Sequence, residues 1–329
     1  MPFPLYRRPG GVIFLDDDPD YLDMLGEVMP PSWFVRLLLR PVACIDLLKE
    51  DARAREKDAW AQQDIVNRWR DGALLVPQIL HYWQADAAAR FAHVQVAVVD
   101  YAMPAMSGLR VLGELQEWPG SRILLTGRAD EQLAVSAFNR GLIHQFVPKQ
   151  SPDIRLRLTN AIENLRHLPD RHHQHIWRAT LSPGNQAFLD DPVISQALEG
   201  LMQAQGWTEH LVIGKPFGIL ALNAQGNASW LQLEPAGNLD ELAELAQSQG
   251  WDTQTVQDIR TGAKLIDLEL QLALGAGHQP QAKESLVMAG HQGNLYGAIF
   301  SIGEAFSPGR AGSHAQFLAH HGERHLPLA

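Results

Sequence analysis

Acidic, hydroxyl and ammonium side chains follow four short apolar runs in the first half of the chain. In chain order these residues are Asp16 and Asp17, then Asp100, Thr126 and Lys149. Three carboxylates brought together would form an oxygen site for a hard divalent cation such as Mg²⁺. A carboxylate can also attack phosphorus while a lysine and a threonine hydroxyl hold the oxygens of the transferred group. These residue types therefore predict phosphoryl chemistry.

Alternating strands and helices would bring the five residues to one place. Strands are predicted at 11–15, 33–40, 96–99, 122–126 and 143–148, with helices between them and a last helix at 152–168. This alternation is typical of a doubly wound α/β fold with a five-stranded parallel sheet. Right-handed crossovers place the ends of the first, third, fourth and fifth strands along one edge, where such sheets bind ligands.

The first acidic run, Asp16 to Asp20, has both a structural and a chemical interpretation. Asp18 before Pro19 predicts a helix N-cap with proline at the first helical position. That leaves Asp16 and Asp17 at the strand end. The alternative is that the whole run is a solvated, capped loop.

The order of the motifs resembles the receiver domain of bacterial two-component response regulators over about residues 10–168. It consists of Asp-Asp, then Asp-x-x-Met-Pro-x-x-x-Gly from Asp100 to Gly108, then Leu-Leu-Thr, then Lys. The resemblance implies a phosphorelay protein that accepts a phosphoryl group from a histidine kinase or phosphotransfer protein. It also implies Mg²⁺ as cofactor and no enzymatic activity beyond slow self-dephosphorylation.

The resemblance also implies a role for each site residue. By this resemblance, Asp100 would be the phosphoacceptor, Asp16 and Asp17 would bind the metal with Asp100 and the Ala102 carbonyl, Thr126 would be the switch hydroxyl, Lys149 the ion-pair partner and Phe146 the aromatic switch. The sequence departs from the family pattern in Pro148-Lys149-Gln150, where the lysine normally precedes proline, and in Gly127 after the threonine. Ala102 and Arg128 occupy the two variable positions that tune the phosphoryl lifetime in that family.

The receiver domain is predicted to span residues 1–168, and the spacing between Asp17 and Asp100 indicates an insert within it. The 82 intervening residues exceed by some thirty what the expected elements need, roughly 50 from mean element and loop lengths. The surplus lies at about 46–93 and has a helical pattern with a break at Gly72. Its apolar stripes predict packing onto the receiver itself, with a surface for a partner or a second copy of the chain as the alternative.

Composition restricts the class of protein. The 329 residues are 46% hydrophobic and 19% charged, and no apolar run approaches the ~20 residues of a membrane span. The single cysteine, Cys44, excludes an intramolecular disulfide and favours a reducing cytoplasm. These features predict a cytoplasmic protein of two domains without a membrane partner.

The second half predicts an α+β domain. Residues 169–190 are interpreted as a linker, 191–303 as an output or sensor domain with two hairpins around central helices, and 304–329 as a His/Gly-rich tail. The hairpins predict an antiparallel sheet. The order of elements is similar to that of PAS-type domains, which implies protein or ligand binding.

Two alternative functions use other residues. Residues 242–262 have helix-turn-helix spacing, as in a transcription regulator, but 238–262 hold five acids and one base, which disfavours a phosphate backbone. Residues 14–18 are also similar to the opening of haloacid-dehalogenase-type phosphatases, with Thr126, Lys149 and Asp190-Asp191 as later motifs. That alternative leaves the Asp100 loop unexplained.

Overall fold

A computed structural model describes residues 2–85, 87–127, 131–275, 280–307, 309 and 312–322. They form two compact units. The parallel-sheet unit contains Pro9–Asp58, Ala88–Leu168 and the described residues from Gln316 onward, and the antiparallel-sheet unit contains residues 2–8, Ala59–Ala87 and Pro169–Ala315. None of the helices in the described part of the chain is long and apolar enough to cross a membrane.

The strands and helices are numbered in chain order. The strands are β1 (Tyr6–Arg7), β2 (Gly11–Leu15), β3 (Val35–Leu38), β4 (Val94–Asp100), β5 (Ser121–Thr126), β6 (Gln145–Pro148), β7 (Trp207–Gly214), β8 (Phe217–Asn223), β9 (Ala228–Pro235), β10 (Lys264–Ile266), β11 (Ala282–Glu284), β12 (Leu286–Gly290) and β13 (Gly293–Ser301). The helices are α1 (Pro19–Val28), α2 (Pro41–Arg70), α3 (Leu75–Gln84), α4 (Ala87–Phe91), α5 (Gly108–Gly113), α6 (Glu131–Asn139), α7 (Ile154–Arg166), α8 (Arg171–Arg178), α9 (Pro183–Asp190), α10 (Pro192–Ala204), α11 (Leu239–Ser248), α12 (Thr253–Arg260), α13 (Leu268–Leu274) and α14 (His314–His321).

The parallel-sheet unit has the predicted doubly wound fold. Its five strands are ordered β3-β2-β4-β5-β6, and every neighbouring pair is parallel. Successive residues of β2 point to opposite faces, so Ile13 and Leu15 lie in one apolar cluster and Val12 and Phe14 in another. Both faces are buried, as the continuous apolar runs of these strands require.

The antiparallel-sheet unit confirms the predicted second sheet. Six strands are ordered β1-β7-β8-β9-β13-β12 with antiparallel pairing throughout, and β10 and β11 form a separate antiparallel pair. The predicted hairpins appear as β8–β9 and β12–β13. The candidate helix-turn-helix appears as α11 and α12, which bury Ala243, Ala246 and Ile259 in the core of this unit.

The prediction that the insert packs onto the receiver is wrong for residues 59–87. The insert is helical and breaks at Gly72, whose φ of 101° suits glycine. However, Val66, Ile79 and Trp83 are fully buried in the core of the antiparallel-sheet unit. The apolar stripes correctly predicted that these side chains are buried, but helical periodicity does not predict which core a helix packs into.

Two further segments differ from their predicted roles. Residues 2–8 belong to the antiparallel-sheet unit because Tyr6 and Arg7 pair with β7. The stretch 169–190, predicted as a linker, contains α8 and α9. Asp170 caps α8, and Trp177 on that helix is fully buried and donates from Nε1 to Gln62 Oε1 at 2.7 Å. Histidines on the outer face of α8 concealed its amphipathic pattern.

The predicted tail, 304–329, contains helix α14. Phe317 on this helix is buried and packs edge-on against Phe34 at 4.9 Å between ring centroids. His321 stacks on Phe317 at 4.8 Å. The tail beyond residue 322 lies outside the described residues.

Candidate phosphoryl-accepting site

The strand order of the parallel sheet brings the predicted site residues to one edge. Asp16 follows β2, Asp100 and Thr126 end β4 and β5, and Lys149 follows β6. These four strands are consecutive neighbours in the sheet. The buried apolar side chains before each polar residue fix the strand ends, so the polar groups meet where the hydrophobic core stops.

Three carboxylates form the centre of the site. Asp16, Asp17 and Asp100 each offer an oxygen, and these oxygens all lie within 4.8 Å of one another. Asp16 and Asp100 are buried, whereas Asp17 is exposed. Within the described part of the chain, no other group of three His, Cys, Asp or Glu residues has this spacing.

Lys149 bridges the two buried carboxylates. Its Nζ lies 2.6 Å from Asp16 Oδ2 and 2.8 Å from Asp100 Oδ1. Burial lowers the pKa of Lys149, but hydrogen bonds and charge from Asp100 and Asp16 outweigh that effect, and the pKa is raised. Burial raises the pKa of Asp16, and Lys149 offsets this only in part. The lysine therefore stays charged and compensates an acidic pocket.

In the acidic run, Asp18 caps α1 as predicted, and Asp16 lies at the strand end. The side chain of Asp18 accepts hydrogen bonds from the backbone amides of Asp20 at 3.0 Å and Tyr21 at 3.2 Å, and Pro19 opens α1. The Asp18 amide donates to Asp16 Oδ1 at 3.1 Å. Capping of α1 thus also orients one of the site carboxylates.

The loop after Asp100 is held by backbone contacts. The Ala102 amide donates to Asp100 Oδ2 at 3.0 Å, and the Gly108 amide donates to the Tyr101 carbonyl at 2.9 Å. A Cβ at Gly108 would overlap the carbonyl oxygen of Asp100, so only glycine fits there. The Ala102 contact uses its amide, and the role of its carbonyl in metal binding stays a prediction.

Thr126 and Phe146 occupy different surroundings. Thr126 is fully buried, and its Oγ1 has no hydrogen-bond partner among the described residues. The Lys149 amide donates to the Thr126 carbonyl at 2.8 Å, which ties the ends of β5 and β6 together. Phe146 is half-buried against the apolar cluster that contains Leu124. The variable position Arg128 lies outside the described residues.

The donor set fits a hard divalent cation. Three carboxylate oxygens close together, one of them exposed to solvent, match the preference of Mg²⁺ for carboxylates and retained waters. Asp191, the fourth motif of the phosphatase alternative, instead caps α10 by accepting from the Val193 amide at 2.9 Å and also binds His291.

Sequence reasoning missed Tyr21 as part of the site. Its ring centroid lies 4.6 Å from Lys149 Nζ. The sequence showed Tyr21 only as an apolar position on α1. A usable signal was its place three residues after the capping Asp18, within the first helical turn beside the acids.

Comparison with known proteins gives structural neighbours only. No protein-family model matches the chain, and no curated protein matches its sequence. The chain is similar to the Legionella pneumophila response regulator LqsR, with a TM-score of 0.71 and 22% identity over 97% of both chains.

Isolated receiver domains align with part of the chain. A signal receiver domain from Pseudomonas fluorescens Pf-5 aligns at 20% identity and a TM-score of 0.33, covering 53% of this chain and 95% of that one. One from Bacteroides fragilis aligns at 19% identity and a TM-score of 0.33, covering 49% and 98%. At a TM-score of 0.71, the chain has the fold of the response regulator LqsR, and its acidic site lies at the strand ends of the parallel sheet.

Proposed function

We propose that this protein is a response regulator that accepts a phosphoryl group on Asp100. The observation that carries the proposal is the Lys149 ammonium bridging Asp16 and Asp100 at 2.6 and 2.8 Å beside a third carboxylate. A structural ion pair would need one carboxylate. Here one lysine pairs with two carboxylates and a third lies beside them, and this acidic excess suits a metal-assisted transfer to oxygen.

The reaction is a displacement at phosphorus. A carboxylate oxygen of Asp100 forms a bond to phosphorus, the bond from phosphorus to the donor's oxygen or nitrogen breaks, and the donor leaves with the electron pair. Asp100 Oδ1 is held by Lys149 and Oδ2 by the Ala102 amide, so the carboxylate is oriented before the donor arrives. Orientation of this kind removes part of the entropic barrier.

The remaining groups would receive the new charge. Thr126 Oγ1, which has no hydrogen-bond partner among the residues that the structure describes, is a buried donor able to bind a phosphoryl oxygen, and the Lys149 ammonium is able to bind another. Mg²⁺ held by Asp16, Asp17 and Asp100, with the Ala102 carbonyl, would neutralise charge on the phosphoryl group. Movement of Thr126 and Phe146 would then alter the surface of the unit.

The donor would be a histidine kinase or a phosphotransfer protein, and the antiparallel-sheet unit would act as the output module by binding protein or ligand. A PAS-like character of this unit and a homodimer of the chain belong to this proposal. The acidic balance of residues 169–329, with 8 Lys and Arg against 16 Asp and Glu, favours an output other than binding to a nucleic-acid backbone.

Intact mass after incubation with acetyl phosphate and Mg²⁺ tests the proposal. We expect the wild type to gain one phosphoryl group and Asp100→Asn to gain none. Asp46→Asn, an exposed aspartate on α2, is the matched control and should be modified like the wild type. An unmodified wild type, or equal modification of Asp100→Asn, would contradict the proposal.

A further inference from the structure

Tyr21 lies against the ammonium that bridges the site carboxylates. Its ring centroid is 4.6 Å from Lys149 Nζ, within the range of a cation–π contact. The same Nζ contacts Asp16 and Asp100 at hydrogen-bond distance. In the described part of the chain, the lysine head group therefore contacts two anionic side chains and one aromatic ring.

The ring is fixed by the same turn that orients the acids. Asp18 accepts the amide hydrogen of Tyr21, and the amide of Asp18 donates to Asp16. The Tyr21 side chain also packs against the apolar cluster that includes Leu22 and Leu25 on α1. The first turn of α1 thus sets both a carboxylate and an aromatic face against Lys149.

The hydroxyl of Tyr21 is not what secures the ring. Tyr21 Oη is buried, and it has no hydrogen-bond partner among the described residues. Burying a hydroxyl without a partner is unfavourable. Packing and the amide hydrogen bond must therefore hold Tyr21 in place, and the group that faces the lysine is the ring.

We infer that Tyr21 is a positioning residue for phosphoryl transfer to Asp100, because its ring holds the Lys149 ammonium between Asp16 and Asp100. This rests on the function proposed above. The lysine side chain is long and flexible, and without an aromatic face it can leave the carboxylates for solvent. A ring against the ammonium restricts that freedom without adding a competing anion.

Two substitutions separate the ring from the hydroxyl. Tyr21→Phe keeps the aromatic face and removes only the hydroxyl, so the initial rate of phosphorylation by acetyl phosphate and Mg²⁺ should stay within about twofold of wild type. Tyr21→Leu keeps apolar bulk and removes the face. Loss of a cation–π contact should slow the reaction by about 3–10-fold. Circular dichroism melts of the full chain verify that both variants fold.

A nuclear magnetic resonance measurement tests the contact without phosphorylation. The ring current of Tyr21 should shift the Lys149 side-chain methylene signals, which are assigned with Lys149→Arg. We expect this shift in the wild type and in Tyr21→Phe and its loss in Tyr21→Leu. A purely structural role of Tyr21 would alter melting without this pattern.

The outcomes separate the two proposals. Equal Lys149 shifts in wild type and Tyr21→Leu, or equal phosphorylation rates in both, would overturn the inference. If the wild type takes no phosphoryl group, the proposed function fails and the role of Tyr21 in transfer fails with it. The methylene shifts would then still decide whether the ring contacts the lysine.

Discussion

Asp51 in the parallel-sheet unit and Glu234 in the antiparallel-sheet unit are both buried carboxyl groups whose pKa values shift in opposite directions. Burial raises the pKa of Asp51, but His93, Arg55 and Trp118 outweigh it and lower the value to about 2. Burial raises the pKa of Glu234 to about 8, and the charge of Glu269 adds to the effect.

The difference lies in the donors around each carboxyl group. Asp51 accepts from Trp118 Nε1 at 2.8 Å, Arg55 Nε at 2.9 Å and the Val94 amide at 3.0 Å, and it also contacts His93. Glu234 accepts from the neutral Gln232 amide at 3.0 Å and lies near other acids. Burial alone therefore does not set ionisation, because the charge and donors of the neighbours decide it.

We expect the largest change in stability from a substitution of Asp51. Asp51→Ala leaves Arg55 and His93 without their buried carboxylate and removes the acceptor of Trp118, so we expect a loss of about 3–5 kcal/mol in the free energy of unfolding. Urea unfolding followed by circular dichroism measures it, with exposed Asp46→Ala on the same helix as control. A loss no larger than that of the control would show that this network does not stabilise the unit.

The sign of the pH dependence follows from the lowered pKa of Asp51. The stabilisation by ionised Asp51 is present above its ordinary value of 3.8 and is lost as the pH falls toward about 2. The difference in the free energy of unfolding between wild type and Asp51→Ala should therefore become smaller below pH 3.8. Melts in a series of acidic buffers would show this narrowing.

Glu234 should respond in the opposite direction. Its folded-state pKa is raised to about 8, so its favourable contribution is complete below 4.5 and is lost as the pH rises through about 8. Glu234→Gln, which cannot ionise, should be more stable than the wild type by about 1–3 kcal/mol at pH 9 and show a smaller difference at pH 5. Exposed Glu244→Gln is the control. A difference that does not change between these two pH values would contradict the protonated state of Glu234.

The smallest effect tests one donor of the Asp51 network. Trp118→Phe removes a single hydrogen bond and keeps an aromatic ring, so a loss of about 1–2 kcal/mol is expected from urea unfolding. Exposed Trp60→Phe on α2 serves as the control. A loss as large as that of Asp51→Ala would mean that the tryptophan's packing, rather than the charge network, stabilises this end of the sheet.

Local patterns were enough to predict the site edge. Asp100 and Thr126 end their strands, and Asp16 and Lys149 directly follow theirs, so the alternation of strands and helices predicted that they meet. The Asp18 cap was readable for the same reason. In both cases, residues a few positions away determine where the polar residue lies in its own strand or helix.

Contacts between distant residues that do not lie at strand ends could not be predicted. Asp51 meets His93 across 42 positions and Trp118 across 67. Strand β1 has only two residues and lies near three prolines, so the local sequence shows no strand pattern there. The strand forms through its pairing with β7. The sequence also could not predict which core Trp83 joins, because an amphipathic pattern indicates that a helix face is buried but not what it packs against.

The division of the chain between the units has a consequence for its synthesis. The antiparallel-sheet unit needs β1 from the start of the chain, α3 from within the insert and strands that extend to Ser301. During synthesis, all five strands of the parallel sheet would leave the ribosome before β7, the partner of β1, is made. Until then, Ile79 and Trp83 would be exposed because the strands that bury them are not yet made. Chaperones bind nascent chains with apolar side chains exposed in this way. The antiparallel-sheet unit therefore cannot be transferred to another protein as a single continuous segment.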